Sequence, residues 1–587
     1  MGTVMIFNKV LVGLGLSVVV MQPVWAGLPD GISSGDTTST STVLWARSSQ
    51  AGNVHFQVKD AANVIVDQSV SVTDPLVPAK LFVNQLDAGK TYTYEVTGPK
   101  GRVSTGSFKT AAAEGNHALS FGVTGDWRGE LAPYPAIKNV PARELDFFIK
   151  LGDTIYADYP SPAVSAEQAQ TLEEYRLKHE EVYGRHLGMN SFARLQKNVS
   201  IFSTIDDHEV QNDFAGGALA SACGCFPETT GFVNQTALYS NGLQAFVEYN
   251  AIADQRYPVV GDELTDGRPD LYRSQRYGKT AGVYILDARS FRDLELDGVT
   301  DITSAAEIGG FIAQSFDAFT PATTRTMLGR KQLDRLKADL LAAQNDNIVW
   351  KFVAVPEPIQ NLGVLAASDR FEGYASERSE LLGFIHDNAI ENVVFISADI
   401  HGTIINDLTY QRREDVLNAL ATVGNPLAAA QIKTSAFEIT TGSVAFEPGF
   451  GDSVLALLAA VPNGDLLLAQ LFAGVGVSDL QGFNNLPMEV KNAALQSLIN
   501  SQLNPLGYTP VGLQDNKLIK AKLVKGSNTA LFSFGWTRFD IAPDTQILKI
   551  TTYGIAPYTE QNLADNSAEV IGRQPKIVSQ LVVKPQL

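Results

Sequence analysis

Cysteine is almost missing from this 587-residue chain: it has two, Cys223 and Cys225. Two thiols that close together can neither staple a fold nor build a thiolate-ligated zinc site. Positive charge is also in short supply. Lys and Arg number 45 against 63 Asp and Glu, a net charge of −18. This deficit excludes the basic surface on which duplex binding depends and suits a protein that handles cations. Beyond residue 26 no apolar run is long enough to span a bilayer. There is no internal repeat, no low-complexity tract and no nucleic-acid-binding module. Hydrophobic residues make up 45% and charged residues 18% of the chain, which excludes a disordered or fibrous protein.

Residues 1–26 are of a different kind. Lys9 precedes an apolar stretch from Val10 to Val20, and the small residue Ala26 closes the segment after Val24-Trp25. This is the pattern of a secretory signal peptide. It predicts export, to the periplasm or the medium, and a mature chain from Gly27 with no transmembrane anchor. An oxidising destination would permit a Cys223–Cys225 link, although so tight a loop is strained.

The mature chain is long enough for several domains. Residues 27–112 contain short alternating runs at Thr42–Ala46, Val54–Val58, Val64–Val72, Lys80–Val83, Thr91–Val96 and Val103–Thr110. Gly, Asp and Pro clusters separate them, which predicts an all-β sandwich of the fibronectin III or immunoglobulin type. The stretch Leu86-Asp87-Ala88-Gly89-Lys90-Thr91-Tyr92-Thr93-Tyr94 resembles a tyrosine corner, and Trp45 is a candidate to fill the core.

From residue 113 the pattern changes. Apolar runs at Leu119–Val123, Leu145–Leu151, Ser200–Ile205, Ala281–Leu286, Ile348–Val355 and Val393–Ser397 alternate with helical stretches such as Ser165–Val182, Leu328–Ala343 and Glu377–Asp387. That alternation predicts an α/β layered catalytic domain over 113–410. Residues 411–530 read as a helical and irregular insertion. Residues 531–587 return to strands that complete the catalytic domain. Inside the insertion, Val454–Val461 and Leu466–Val477 predict a helical hairpin packed on the domain, or an apolar lid facing a lipid substrate.

The polar clusters follow the apolar runs directly. Leu119–Val123 leads into Thr124-Gly125-Asp126-Trp127-Arg128, and Phe147–Leu151 into Gly152-Asp153-Thr154-Ile155-Tyr156-Ala157-Asp158. Ile201–Ile205 leads into Asp206-Asp207-His208-Glu209-Val210-Gln211-Asn212-Asp213, and Val393–Ser397 into Ala398-Asp399-Ile400-His401. Ligands of open α/β sheets bind beyond the carboxyl ends of the strands. Carboxylates gathered there repel one another unless a cation lies between them. Oxygen donors favour a hard cation, while Tyr and His admit a transition metal. One such motif is weak evidence; four in order, each closing a strand-like run, are strong.

The set resembles the alkaline phosphatase D (PhoD-like) branch of the calcineurin-like metallophosphoesterases. The resemblance rests on GDTIY at 152–156, DDHEVQN at 206–212 and ADIH at 398–401, supported by YRLKH at 175–179, LDARSFRD at 286–293, LGRKQLDRL at 328–336 and FEGYASER at 371–378. It runs from about Gly27 to Thr403 and returns at Phe534–Tyr553. It implies a four-layer metallophosphoesterase-type catalytic domain behind the sandwich, and hydrolysis of phosphate esters by a metal-activated water. It also implies a centre of iron with calcium beside it. Asp153 would bridge the metals, Tyr156 and His401 would bind iron, and Asp399 and Asn212 would bind calcium. Better-known members carry Cys where this chain has Asp126. A carboxylate there changes metal preference, so iron, manganese, zinc or an all-calcium site stay open.

Three further residues are candidates for catalysis. The planar forks of Arg128 and Arg289 suit phosphate oxygens, Arg289 being equally readable as an ion pair. His208 suits a general acid or a phosphate contact, being equally readable as a residue that Asp206 and Asp207 merely fix in place beside the metals. His179, one turn from Arg176, reads as part of a solvated face. Glu357, between two prolines, reads as a rigid turn. Two rival functions stand beside the phosphatase or phosphodiesterase. A non-catalytic calcium-binding surface or periplasmic protein would show regular acidic loops, and none is present. A sulfatase would need Arg where Cys225-Phe226-Pro227-Glu228-Thr229 ends in Thr229.

Overall fold

The computed structural model describes residues 27–318, 325–514 and 516–586. The signal-peptide segment, 1–26, lies outside them. Two large sheets dominate. The first has eleven strands in the order Lys520–Gly526, Lys576–Lys584, Leu548–Ile555, Phe534–Ile541, Leu119–Trp127, Phe147–Leu151, Ser200–Thr204, Ile32–Gly35, Thr42–Ala46 and Ala79–Val83, with Ser443–Ala445 paired on Leu119–Trp127. The second has seven, ordered Arg273–Tyr277, Ala281–Ile285, Trp350–Ala354, Val393–Ser397, Ile432–Thr440, Thr403–Tyr410 and Thr529–Ala530.

The central strands of both sheets are parallel. Leu119–Trp127, Phe147–Leu151 and Ser200–Thr204 pair in parallel, as do Ala281–Ile285, Trp350–Ala354 and Val393–Ser397. These strands are buried on both faces, which explains their unbroken apolar sequence. Phe121, Ile149 and Phe539 of the first sheet pack with Val283, Phe352 and Ile439 of the second in one core. On the outer face of the first sheet, Phe148 and Trp536 share a core with Tyr175, Leu243 and Phe246 of the helices Leu172–Tyr183 and Ala237–Tyr249. On the outer face of the second, Val353 and Phe395 meet Leu333, Leu336, Leu381 and Leu382 of Arg330–Asn345 and Ala375–Asp387. The order helix, sheet, sheet, helix is the four-layer α/β architecture.

The N-terminal region is a sandwich, but it is not detached. Its second sheet, Asn63–Val72, Gly52–Asp60, Thr91–Thr97 and Val103–Lys109, packs through Phe56, Val58, Tyr92 and Phe108 on Ile32 and Leu44. The strands carrying Ile32 and Leu44 belong to the eleven-stranded sheet, where Ser34 pairs in parallel with Ser200. The tyrosine corner forms: the Tyr92 hydroxyl accepts from the Asp87 amide at 2.9 Å. Trp45 does not fill the sandwich. Alternation along Thr42–Ala46 turns it to the opposite face from Leu44, where its ring lies 5.5 Å from Tyr183 and its Nε1 donates to the Glu248 carbonyl at 2.9 Å.

The reading of 411–530 as an insertion is corrected. Ile432–Thr440 lies between Val393–Ser397 and Thr403–Tyr410, and Ser443–Ala445 joins Leu119–Trp127. Thr434, Ser435 and Glu438 broke the apolar run and hid a core strand. Glu438 is buried there because the Ile359 and Gln360 amides donate to it at 2.9 and 2.7 Å. The expected hairpin is the pair of helices Phe450–Ala460 and Gly464–Gly474. Among the described residues, no helix is long and apolar enough to cross a membrane.

Candidate metal centre

Every acidic motif lies at the carboxyl end of a parallel strand. Asp126 sits at the end of Leu119–Trp127, Asp153 two residues beyond Phe147–Leu151, Asp206 to His208 just beyond Ser200–Thr204, and Asp399 and His401 just beyond Val393–Ser397. The backbone at these points is unusual. Asp126, Asp153, Asp399 and His401 have φ of 60°, 49°, 62° and 58°. The left-handed region is uncommon for residues with side chains and costs of order 1–3 kcal/mol each where it is strained, and such residues gather at functional sites. Close approach of the strand ends also fixes Gly125 and Gly152. A Cβ on Gly125 would lie 2.7 Å from Ala398 Cβ, and one on Gly152 2.7 Å from Asp206 Cβ.

The side chains of the first group converge. The Tyr156 hydroxyl donates to Asp153 Oδ2 at 3.0 Å and lies 3.3 Å from His401 Nε2. His401 Nε2 is 3.8 Å from Asp126 Oδ1. Asp126, Asp153 and His401 each offer a ligand atom within 4.8 Å of the others, as do Asp153, Asp207 and His208. Asp153 belongs to both groups. Asp126 is buried, and neither of its carboxylate oxygens has a hydrogen-bond partner among the described residues. Asp207 Oδ1 also has no hydrogen-bond partner there, but it lies 3.6 Å from Arg289 Nη2. Burial, and then Asp206, raise the Asp126 carboxyl well above its ordinary range; burial, and then Asp207, do the same to Asp153. Asp399, half-buried, is raised by desolvation and by Asp206. Carboxylates this unpaired fit a bound cation, which supplies the missing charge and ligand bonds at once.

The two histidines are driven apart. Burial, with His208 as a charged neighbour, lowers His401 to about 3, so its ring is neutral and free to coordinate. Burial alone would also lower His208, but Asp207 and Asp158 raise it to about 10. His208 Nδ1 lies 2.7 Å from Asp158 Oδ1, and its Nε2 lies 4.0 Å from Asp207 Oδ2. The Asp158 carboxylate also accepts from the Asn212 amide at 2.8 Å. Asn212 itself is exposed, and its side-chain amide donates to Asp213.

The expectations for two arginines change. Arg289 is not available to a phosphate. Its side chain is 0% exposed, and its Nε donates to Asp206 at 2.6 Å. Its two terminal nitrogens reach Asp369 at 2.8 and 2.9 Å, and Nη2 also meets Glu357. Arg292 adds a second cation 3.1 Å from both Glu357 and Asp369. Glu357 is therefore part of a buried ion network, not merely a turn. Arg128 stands at the rim, with all three guanidinium nitrogens engaged. They reach Glu130 at 3.2 Å, the Glu447 carbonyl at 3.2 Å and Glu560 at 3.0 Å. His179 is buried, not solvated, with its ring stacked 5.2 Å from Tyr249. Cys225 is disulfide-bonded and offers no thiolate.

Sequence reasoning missed four contributors. Glu209 ties two strand-end turns together by accepting from the Thr154 amide at 2.6 Å and the Asp206 amide at 2.8 Å. Asp207 is a ligand candidate in its own right. Asp158 orients His208. Phe446 stacks on His401 at 3.9 Å and on Tyr156 at 4.5 Å, walling the site. Asp158, Asp207 and Glu209 stood in the motifs already and could have been weighed. Phe446 carried no signal.

Residues 124–496 match the family model described as PhoD-like phosphatase, and residues 21–112 match the PhoD-like phosphatase N-terminal domain. The chain is 27% identical over 422 residues to alkaline phosphatase D of Bacillus subtilis (strain 168), an alignment covering 64% of this chain and 65% of that protein. The aligned part is thus just under two thirds of that relative's length. The solved structure of PhoD superposes with a TM-score of 0.64 at 19% identity, over 96% of this chain and 94% of the other. At that identity the likeness establishes the fold.

Proposed function

Because the chain belongs to the PhoD-like phosphatase family, we propose that it is an exported, metal-dependent hydrolase of phosphoric esters, a phosphatase or phosphodiesterase. One observation carries the reading: Asp126, Asp153, Tyr156 and His401 converge with buried carboxylate oxygens left unpartnered. Export rests on the character of residues 1–26.

Asp126, Asp153, Tyr156 and His401 would hold one metal. Asp153 and Asp207, with Asp399 and Asn212, would hold a second. The first set mixes carboxylate, phenol and imidazole, which suits iron, manganese or zinc; the second is all oxygen, which suits calcium. When bound, the pair supplies Lewis-acid activation of water and positive charge for the phosphoryl oxygens. The chain's own residues do the rest. Asp207 and Asp158 keep His208 cationic, and the Nε2–H of that ring donates to a phosphoryl or leaving-group oxygen. Phe446 and Tyr156 exclude water from one side of His401. Glu209 holds the Asp153 and Asp206 turns in register, so the donors stay in place as charge develops.

The test is hydrolysis of mono- and diester chromogenic substrates by the purified protein, with metal content measured alongside. Chelation should abolish turnover, and calcium should restore it at least in part. Full activity of protein stripped of metal would overturn the proposal.

A further inference from the structure

A cavity of about 320 Å³ lies between the helices Phe450–Ala460 and Met488–Leu503 and the loops that carry Leu362 and Ile400. Its wall is mostly aliphatic, with Leu362 and Ile400 on one side and Leu457, Leu458, Leu498 and Ile499 on the other. The last four come from the helices Phe450–Ala460 and Met488–Leu503. Protein interiors rarely leave voids larger than a water, and one water occupies about 30 Å³ in the liquid. The space is roughly ten times that, so it is not a packing defect. Its size is that of a small ligand pocket.

Two ionisable side chains border it, His401 and Arg370. His401 belongs to the metal centre, with its Nε2 3.3 Å from the Tyr156 hydroxyl. The cavity therefore begins where the metal-binding group ends. Arg370 is 9% exposed. Its Nη2 donates to the Leu365 carbonyl at 3.2 Å and lies 3.5 Å from Glu372, while its Nε has no hydrogen-bond partner among the described residues.

We propose that the cavity takes the aliphatic chain of the substrate. The preferred substrate is then a phosphate ester bearing one linear chain, with its phosphoryl group at Asp126, Asp153 and His401 and its chain among Leu457, Leu458 and Ile499. This rests on the phosphoesterase reading and narrows it.

The test is kcat/KM for p-nitrophenyl alkyl phosphates from methyl to dodecyl, with the metal-loaded protein. It should rise roughly two- to fourfold per added methylene, as burial of each group in an apolar site predicts, and level off near about ten carbons, when the space is filled. A flat series in which the methyl ester is still hydrolysed overturns the inference and leaves the phosphoesterase reading intact. No hydrolysis of any ester overturns the phosphoesterase reading itself. Leu458→Trp should remove the gain for octyl and decyl esters while the methyl ester keeps its rate; an undiminished gain overturns the placement in this cavity. The wild-type series stands whether or not that variant folds.

Discussion

Two groups of buried acids lie side by side on the same strand-end rim. On one side Asp206, Glu357 and Asp369 surround Arg289 and Arg292, close enough that nearly every charge has a partner. On the other, Asp126 and Asp153 face a neutral His401 and Tyr156 with no Lys or Arg paired to either carboxylate among the described residues, and neither oxygen of Asp126 has a hydrogen-bond partner there. Residue types and burial are alike. What differs is the source of the cation. The first group carries its own and is closed to anything else. The second carries no Lys or Arg of its own, an arrangement that suits a bound cation. The comparison also sorts the arginines, since a guanidinium held by four carboxylates is framework however well its shape suits phosphate.

The most damaging way to break the open side is Asp153→Asn. Asp153 belongs to both ligand groups, so its loss should release metal and lower kcat by more than about a hundredfold, the scale on which positioned catalytic groups act. Metal per chain and turnover are measured on the same preparation, with folding checked by circular dichroism. A folded variant with normal metal content would remove Asp153 from the bridging position.

On the closed side, Arg289→Met should act on stability. Removing one partner of a buried ion pair leaves uncompensated charge and costs about 3–5 kcal/mol. The urea midpoint should fall accordingly. If Arg289 bound phosphate instead, KM would rise while the midpoint stayed put.

Much of this contrast was legible in the sequence, and its boundary is instructive. The four strand-end motifs identified themselves because fully buried parallel strands are apolar throughout, so acids can appear only where each strand stops. The Phe534–Ile541 strand was legible from its alternation, and the central Ile432–Thr440 strand was not, because Thr434 and Glu438 are buried by hydrogen bonds that no periodicity encodes. The roles of Arg289 and Glu357 were hidden for a related reason. They are separated by 65 or more residues in the chain from several of their partners, and only the sheet order brings them together. The left-handed backbone at Asp126 and Asp399 has no signature in composition either, since Asp is common in turns of every kind.

A smaller effect is expected where the two groups meet, at His208. Its folded-state value of about 10 lies above the unfolded 6.5, so the cation favours folding fully below about 6.5, and that contribution is lost as pH rises through about 10. Asp158→Asn removes one of the carboxylates that hold it up. The basic limb of the kcat profile should move to lower pH, with activity at pH 9 down about tenfold and activity at pH 6 within about twofold of wild type. A profile that keeps its basic limb would separate His208 from proton donation.

Arg128→Gln should have the least effect, and it decides on which side of the comparison the rim belongs. Arg128 is partly exposed, at 15% of its side chain, and is paired with Glu130 and with the more exposed Glu560. Glu560 opens the helix Glu560–Gly572, so the pair fastens that helix to the rim. Such pairs contribute at most about 1 kcal/mol. The guanidinium also lies 5.2 Å from the centre of the Tyr159 ring and 5.9 Å from Phe446, contacts that hold it over the aromatic wall rather than over the carboxylates. On this geometry Arg128→Gln should lower stability by less than about 1 kcal/mol and raise KM no more than about threefold. Both are measured on one preparation, by denaturation midpoint and by initial rates on a diester. A tenfold rise in KM with an unchanged midpoint would move Arg128 to the open side, as a residue that leaves Glu560 to meet the substrate's phosphate.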